Sequence, residues 1–360
     1  MKKENFWMAS ISPFIACVWM MLFGFSDPTF AVKPFAKDMV LIYAGGAHRK
    51  VWDKEKFAPY VSMKNEKGKP QWLFDGFLFL EITNGQGRGF ASYYEKKGAR
   101  KQEWTKLIED YFTPGKIICA LNESIGDARR INPKKFSKKK VVIGLPEPIP
   151  NQKDWGEAGG KSLDFSKADD RLTACQWFVD YAISKFNEAH LDNLELSGFY
   201  WIAEEATNSR DLAHKVGDYV RSKDLNFNWI PYFKSDGFKE WRTLGFDIAY
   251  LQPNYFFNEK VPLQRLDDAC KLAAENGMCM EMEFDERALK EKGFGYRLED
   301  YMNAFDKHDV FKYLPIAYYQ GNTAFYDLFH SNVPEDNQLY LKLANRIAER
   351  QKMKKLKGIK

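Results

Sequence analysis

The sequence predicts an α/β fold, a single-domain (β/α)8 barrel of the TIM type. Three observations carry this expectation. Eight short β-rich runs recur along the 360 residues. Helical periodicity fills the clearest intervals between them. Neither a GxGxxG fingerprint nor a P-loop occurs, and Gly85-Gln86-Gly87-Arg88-Gly89 lacks the spacing of either. Strands alternating with helices make a parallel sheet. A closed barrel of this kind needs roughly 250 residues plus insertions.

The eight runs cover residues 39–44, 76–82, 141–145, 196–203, 227–233, 248–252, 279–284 and 315–319. A ninth apolar run, Lys116-Ile117-Ile118-Cys119-Ala120-Leu121, continues at Ile125 and Ala128. That is the spacing of one helical face, so residues 115–130 are expected as helix. The clearest other helices span 170–189, 209–222, 263–276 and 298–307, and Asn276-Gly277 stops one of them directly before a strand. Two long connections, 46–72 and 147–166, follow the first and third strands. Both leave at the face where barrel active sites lie, as cleft rim or as surface insertions.

The chain ends read as follows. Lys2 and Lys3 precede an apolar run over 6–25, and Thr29 and Ala31 fit the small-x-small pattern of a cleavage site. We expect a signal peptide over 1–31, a mature start near Val32, the barrel over 32–350 and a basic tail over 351–360. The protein is then exported, to the periplasm or cell surface. The apolar run is also long enough for an uncleaved anchor, and Cys17 leaves lipidation as a lesser alternative. Much of the net charge of +5 sits in the run from Arg350 to Lys357, read as a solvated helix end.

Cys119, Cys175, Cys270 and Cys279 fall in periodic apolar segments without a CxxC pair and read as small buried hydrophobes. The five histidines are scattered without metal-site spacing. No metal and no cofactor is expected. Without a basic stripe interleaved with aromatics, nucleic acid is not an expected partner, and no stable membrane partner is expected either.

The residues suited to chemistry lie at strand ends. In the seventh run Met278, Met280, Met282 and Phe284 share one parity, and Cys279, Glu281, Glu283 and Asp285 the other. Side chains alternate faces along a strand. If the apolar set faces the helices, Glu281 and Glu283 face the barrel axis. In the fourth run Gly198, Tyr200, Ile202 and Glu204 share one face, and Phe199, Trp201, Ala203 and Glu205 the other. Glu204 is the preferred inward carboxyl, with Glu205 on the flank. Two carboxylates across a barrel mouth suit glycosidic bond cleavage. Glu283, nearer the strand end, is the candidate nucleophile and Glu204 the candidate acid/base. Glu281 is a candidate ligand contact or one member of a buried salt bridge.

Further strand ends carry groups suited to hydroxyl-rich ligands: Trp229 and Tyr232 on strand five, Gln252, Asn254 and Tyr255 on strand six, Tyr318 and Gln320 on strand eight. With Tyr200 and Trp201 they make the expected substrate-binding set, since amides both donate and accept. The chain also holds 29 Phe, 18 Tyr and 10 Trp. Most of the Phe are expected in the core, which leaves Trp and Tyr at strand ends for sugar stacking.

The runs Gly198-Phe199-Tyr200-Trp201 with a following Glu, Trp229-Ile230-Pro231-Tyr232, Gly245-Phe246-Asp247, Gln252-Pro253-Asn254-Tyr255 and Glu281-Met282-Glu283 resemble a family of exported bacterial proteins catalogued as a domain of unknown function. The resemblance covers the chain from about Val40 to Tyr319 and implies a glycosidase-like barrel. The layout is also similar to clan A retaining glycoside hydrolases, which place the acid/base after strand four and the nucleophile on strand seven. That clan usually carries Asn before the acid/base, whereas Ala203 precedes Glu204 here. The resemblance implies that Gln252 or Asn254 would replace that contact to the sugar. The expected function is retaining hydrolysis of an oligosaccharide or polysaccharide. A non-catalytic glycan-binding barrel is the alternative. A polysaccharide deacetylase is disfavoured, because the His/Asp metal constellation it needs is missing.

Overall fold

A computed structural model describes residues 35–133 and 136–353. The expected signal peptide with Cys17, and the basic tail beyond Met353, lie outside the described residues. Eight parallel strands close into a barrel: β1 (Asp38–Tyr43), β2 (Gly76–Leu80), β3 (Lys139–Leu145), β4 (Leu194–Trp201), β5 (Asn226–Trp229), β6 (Ile248–Leu251), β7 (Cys279–Glu283) and β8 (Ile316–Tyr319). Each strand bonds its neighbours in sequence, and β8 returns to β1. All eight expected strands are present.

The segment Ile117–Ile131 is a helix, with Ile118 and Leu121 fully buried on its inner face. Its apolar residues recur at helical spacing and pack against the helix Lys54–Val61. The other expected helices form as Ala168–Glu188, Arg210–Arg221, Gln264–Glu275 and Gly295–Lys307. None of the helices among the described residues is long and apolar enough to cross a membrane.

Pairing register fixes which side chains face the axis. Glu281 lies beside Ala317 and Glu283 beside Tyr319, while Met280 and Met282 lie beside Ile316 and Tyr318. The methionines therefore join the layer under the helices and the glutamates face inward. The interior at β3 and β4 is tight. A Cβ on Gly144 would lie 2.8 Å from Leu80 Cβ, and one on Gly198 would lie 2.2 Å from the Asn226 carbonyl oxygen. Glycine is needed there for close approach.

The C-terminal run departs from expectation at its first residue. Arg350 is 1% exposed, because the helix Pro334–Lys352 carries it under the barrel wall. Its Nε donates to Asp38 Oδ1 at 2.6 Å, and its Nη2 donates to the carbonyls of Lys37 and Leu314 at 2.8 Å. The four cysteines of the described residues are unpaired thiols, three of them buried and Cys119 partly exposed.

Candidate active site

A cleft of about 450 Å³ opens at the C-terminal ends of the strands. Tyr200, Glu204, Gln252, Asn254, Glu281 and Glu283 line it, joined by Leu41, Tyr43, His48, Arg49, Tyr94, Phe257 and Tyr319. Six of the twelve residues singled out from the sequence are therefore brought together here, including all three candidate glutamates.

Glu283 is held by the chain around it. After β6, Pro253 leads into Asn254, whose φ of +51° turns the backbone into the left-handed region that Asn tolerates. The Asn254 N–H thereby donates to Glu283 Oε2 at 2.7 Å. Tyr301, fully buried on the helix Gly295–Lys307, donates its hydroxyl to the same oxygen at 2.5 Å. Burial pushes the Glu283 carboxyl up to about 7, the two donors oppose the rise by favouring the ionised form, and the Glu204 charge adds to it.

Glu281 has no such support. It is 2% exposed and its Oε1 is buried without a hydrogen-bond partner. Burial first, then the charges of Glu283 and Glu204, hold it well above the ordinary carboxylate range. The salt bridge that could have explained it from sequence is not formed. Glu204, just beyond β4, is half-buried. Burial raises its carboxyl most, the Gln252 amide opposes the rise, and the neighbouring Glu205 adds to it.

Glu205 faces away from this group, accepting from the Tyr232 hydroxyl at 2.7 Å. Tyr232 is thus a flank residue and does not line the cleft. Trp201 and Trp229 lie in the outer layer, as their shared parity with Phe199 and Phe227 requires. Trp229 stacks on Phe246 with ring centroids 4.7 Å apart, and Trp201 meets Phe227 edge-on at 5.9 Å. The Trp229 indole N–H donates to the Ala203 carbonyl at 2.7 Å, which anchors the segment carrying Glu204. Tyr318 points outward to Asp38, bonding Oδ1 at 2.7 Å. Gln320 is fully buried, accepting from the Tyr60 hydroxyl at 3.1 Å. Tyr255 bonds Asp300 at 2.6 Å through its hydroxyl and packs edge-on against Tyr301. None of these five lines the cleft: their hydrogen-bonding and stacking partners lie in the barrel wall and its surrounding helices.

Several contributors were not anticipated, Arg49, Tyr94 and His48 among them. Arg49 meets Glu81 with two parallel bonds, Nε to Oε2 at 2.7 Å and Nη2 to Oε1 at 2.8 Å. Its guanidinium also lies 4.8 Å from the Tyr43 ring centroid. Tyr94 comes from the loop after β2 and stands exposed at the mouth of the cleft. The long connection after β1 supplies His48 and Arg49, so it does build the rim. The connection after β3 does not reach the cleft. Its Trp155 packs against Trp104 and Trp177 of two outer helices. Among the described residues no group of His, Cys, Asp and Glu is arranged to hold a metal ion.

A closed parallel (β/α)8 barrel with an acidic, tyrosine-walled cleft at the C-terminal mouth defines the class of molecule. Within it, the chain belongs to the family described as a domain of unknown function (DUF4855), which matches residues 38–345. This agrees with the resemblance carried by the strand-end motifs. Comparison with curated proteins gives no match. Among solved structures, the chain is similar to a putative α-L-fucosidase from Bacteroides thetaiotaomicron, at 12% identity over 90% of this chain and 98% of that one, with a TM-score of 0.46. It is also similar to a family 18 chitinase from Crocus vernus, at 11% identity over 85% and 99%, TM-score 0.42. A tryptophan synthase α-subunit variant from Pyrococcus furiosus is similar at 8% identity over 87% and 97%, TM-score 0.38.

Proposed function

We propose that this protein is an exported glycoside hydrolase that cleaves an oligosaccharide or polysaccharide by a retaining two-carboxylate mechanism. The observation that carries the reading is the unequal support of two carboxyls in one cleft. Glu283 accepts from the Asn254 N–H and the Tyr301 hydroxyl, two donors that favour its anion and fix its position, whereas Glu204 sits at the mouth with burial raising its carboxyl. A carboxylate fixed in place by donors and facing a second carboxyl across one cleft is the arrangement that a nucleophile and an acid/base require.

In this reading Glu204 protonates the departing glycosidic oxygen while the Glu283 carboxylate attacks the anomeric carbon. Glu204, now ionised, then takes a proton from the water that releases the sugar. The tyrosines of the wall offer faces to the apolar side of the ring, and Gln252 and Asn254 offer amides to its hydroxyls. A cleft of about 450 Å³ falls within the usual range of small-ligand pockets, roughly 300–1,000 Å³.

A glycan panel assayed with the wild type, Glu204→Gln and Glu283→Gln tests the reading. Both variants are expected to lose nearly all turnover while still binding the glycan. Saturable glycan binding without turnover by the wild type would instead indicate a binding protein. Turnover that survives both substitutions would refute the assignment of the pair.

A further inference from the structure

Two carboxyls suffice for the proposed hydrolysis, yet three line the cleft. Glu81, the further carboxylate beside it, is neutralised by the bidentate Arg49 pair. Glu204, Glu281 and Glu283 have no such partner: the lining residues include no lysine, and the remaining basic side chain is His48 at the rim. Glu281 is the most exacting of the three. It is a floor residue, flanked in register by Ala317, and its Oε1 is buried with no hydrogen-bond partner.

An unsatisfied buried carboxyl oxygen destabilises a fold by its full desolvation penalty, more so when like charges surround it. The structural carboxyls buried elsewhere in this fold keep a partner: Asp38 has Arg350 and Tyr318, and Glu147, with one orphaned oxygen, accepts from the Ser92 N–H through the other. The Ala317 beside Glu281 has no side-chain donor to offer. Ionised, a carboxyl accepts only, so a ligand that completes this group in its charged form does so with a hydrogen-bond donor. A surplus of carboxyls without protein cations selects a donor that is positively charged.

We infer that the cleft takes a glycan bearing a free amino group, a hexosamine residue, with the Glu281 carboxylate as the acceptor for its ammonium. The inference rests on the hydrolase reading of the same cleft and names its substrate class. An ammonium has three donors, so it can bond Glu281 and also lower the repulsion among the three carboxyls. An N-acetylated sugar presents one neutral amide N–H and a bulky acyl group in place of that charge. A neutral hydroxyl supplies a donor but no compensation for charge.

The test compares D-glucosamine and D-galactosamine, and their oligomers, with the matched N-acetylated and unmodified sugars. Binding is followed by calorimetry and by the carboxyl signals of 13C-labelled glutamate. The free-amine forms should bind at least tenfold more tightly than the matched neutral forms, a difference of ~1.4 kcal/mol. The Glu281 signal should move toward its ionised position on binding. Glu281→Gln, shown to be folded by circular dichroism, should abolish the preference, while Glu281→Asp should keep part of it. Equal binding of amino and neutral sugars, a preference unchanged in Glu281→Gln, or no saturable binding of any free-amine probe would overturn the inference. Turnover of a neutral glycan that depends on Glu204 and Glu283 would leave the hydrolase reading standing without this one. Amine binding through Glu281 without turnover of any glycan would do the reverse.

Discussion

At the scale of single residues, function turns on how differently the chain treats three glutamates. Glu283 must be ionised to attack, so activity should be lost as pH falls through its value of about 7. The Tyr301 hydroxyl favours the anion. Tyr301→Phe keeps the ring against Tyr255 and Phe305 but removes that donor. The acid limb of kcat/KM should then shift to higher pH by roughly one to two units, the equivalent of a bond to a charged group of ~1.5–3 kcal/mol. A pH–rate profile reads this, and a limb that stays in place would assign it to another group. The inward glutamates were legible because β7 alternates cleanly with period two. The Arg49–Glu81 pair was not, since its members come from two separate loops and no local pattern joins them.

At the scale of elements, the same alternation explains an error. Trp201 and Trp229 are aromatic and sit at strand ends, which suggests cleft residues. Their parity instead places them with Phe199 and Phe227 under the helices, and period is the stronger guide. The helix Ile117–Ile131 shows the same, since spacing outweighs β-branched content there and gives the right element. Gly198 offers a test of the barrel interior. In Gly198→Ala the new methyl would meet backbone 2.2 Å away, so the strands must shift, at a cost of about 1–3 kcal/mol. Urea unfolding should show a lower midpoint with an unchanged slope. An unaltered midpoint would mean that β4 and β5 leave room for a methyl group at this position. Trp229→Phe should lower turnover more than stability, because it frees the Ala203 carbonyl beside Glu204. A comparison of kcat with the unfolding midpoint separates those two effects.

At the scale of the whole molecule, closure depends on the last helix. Arg350 ties the helix Pro334–Lys352 to the start of β1 through Asp38, across 312 residues of chain. The sequence showed a basic run there, but a charged residue destined for burial looks no different from its exposed neighbours until its partner is known. Arg350→Met would leave Asp38 buried without its cation and should destabilise the fold by ~3–5 kcal/mol, measured by urea unfolding. A loss within ~0.5 kcal/mol, the range of an ordinary surface substitution, would contradict a tie of this kind. Export remains part of the proposal, and N-terminal sequencing of secreted protein should begin near Val32. An intact Met1 start in the membrane fraction would replace cleavage with an anchor.

The central claim is that Glu283 attacks sugar and Glu204 delivers the proton. Peptide mass mapping of enzyme quenched during turnover of slow 5-fluoroglycosyl fluorides, amino sugars included, tests it most directly. The account predicts a glycosyl adduct on the peptide carrying Glu283, absent in Glu283→Gln, with the product of the ordinary reaction released in the retained anomeric form by proton NMR. An adduct on Glu281, or rapid turnover that yields the inverted anomer and no adduct, would contradict it.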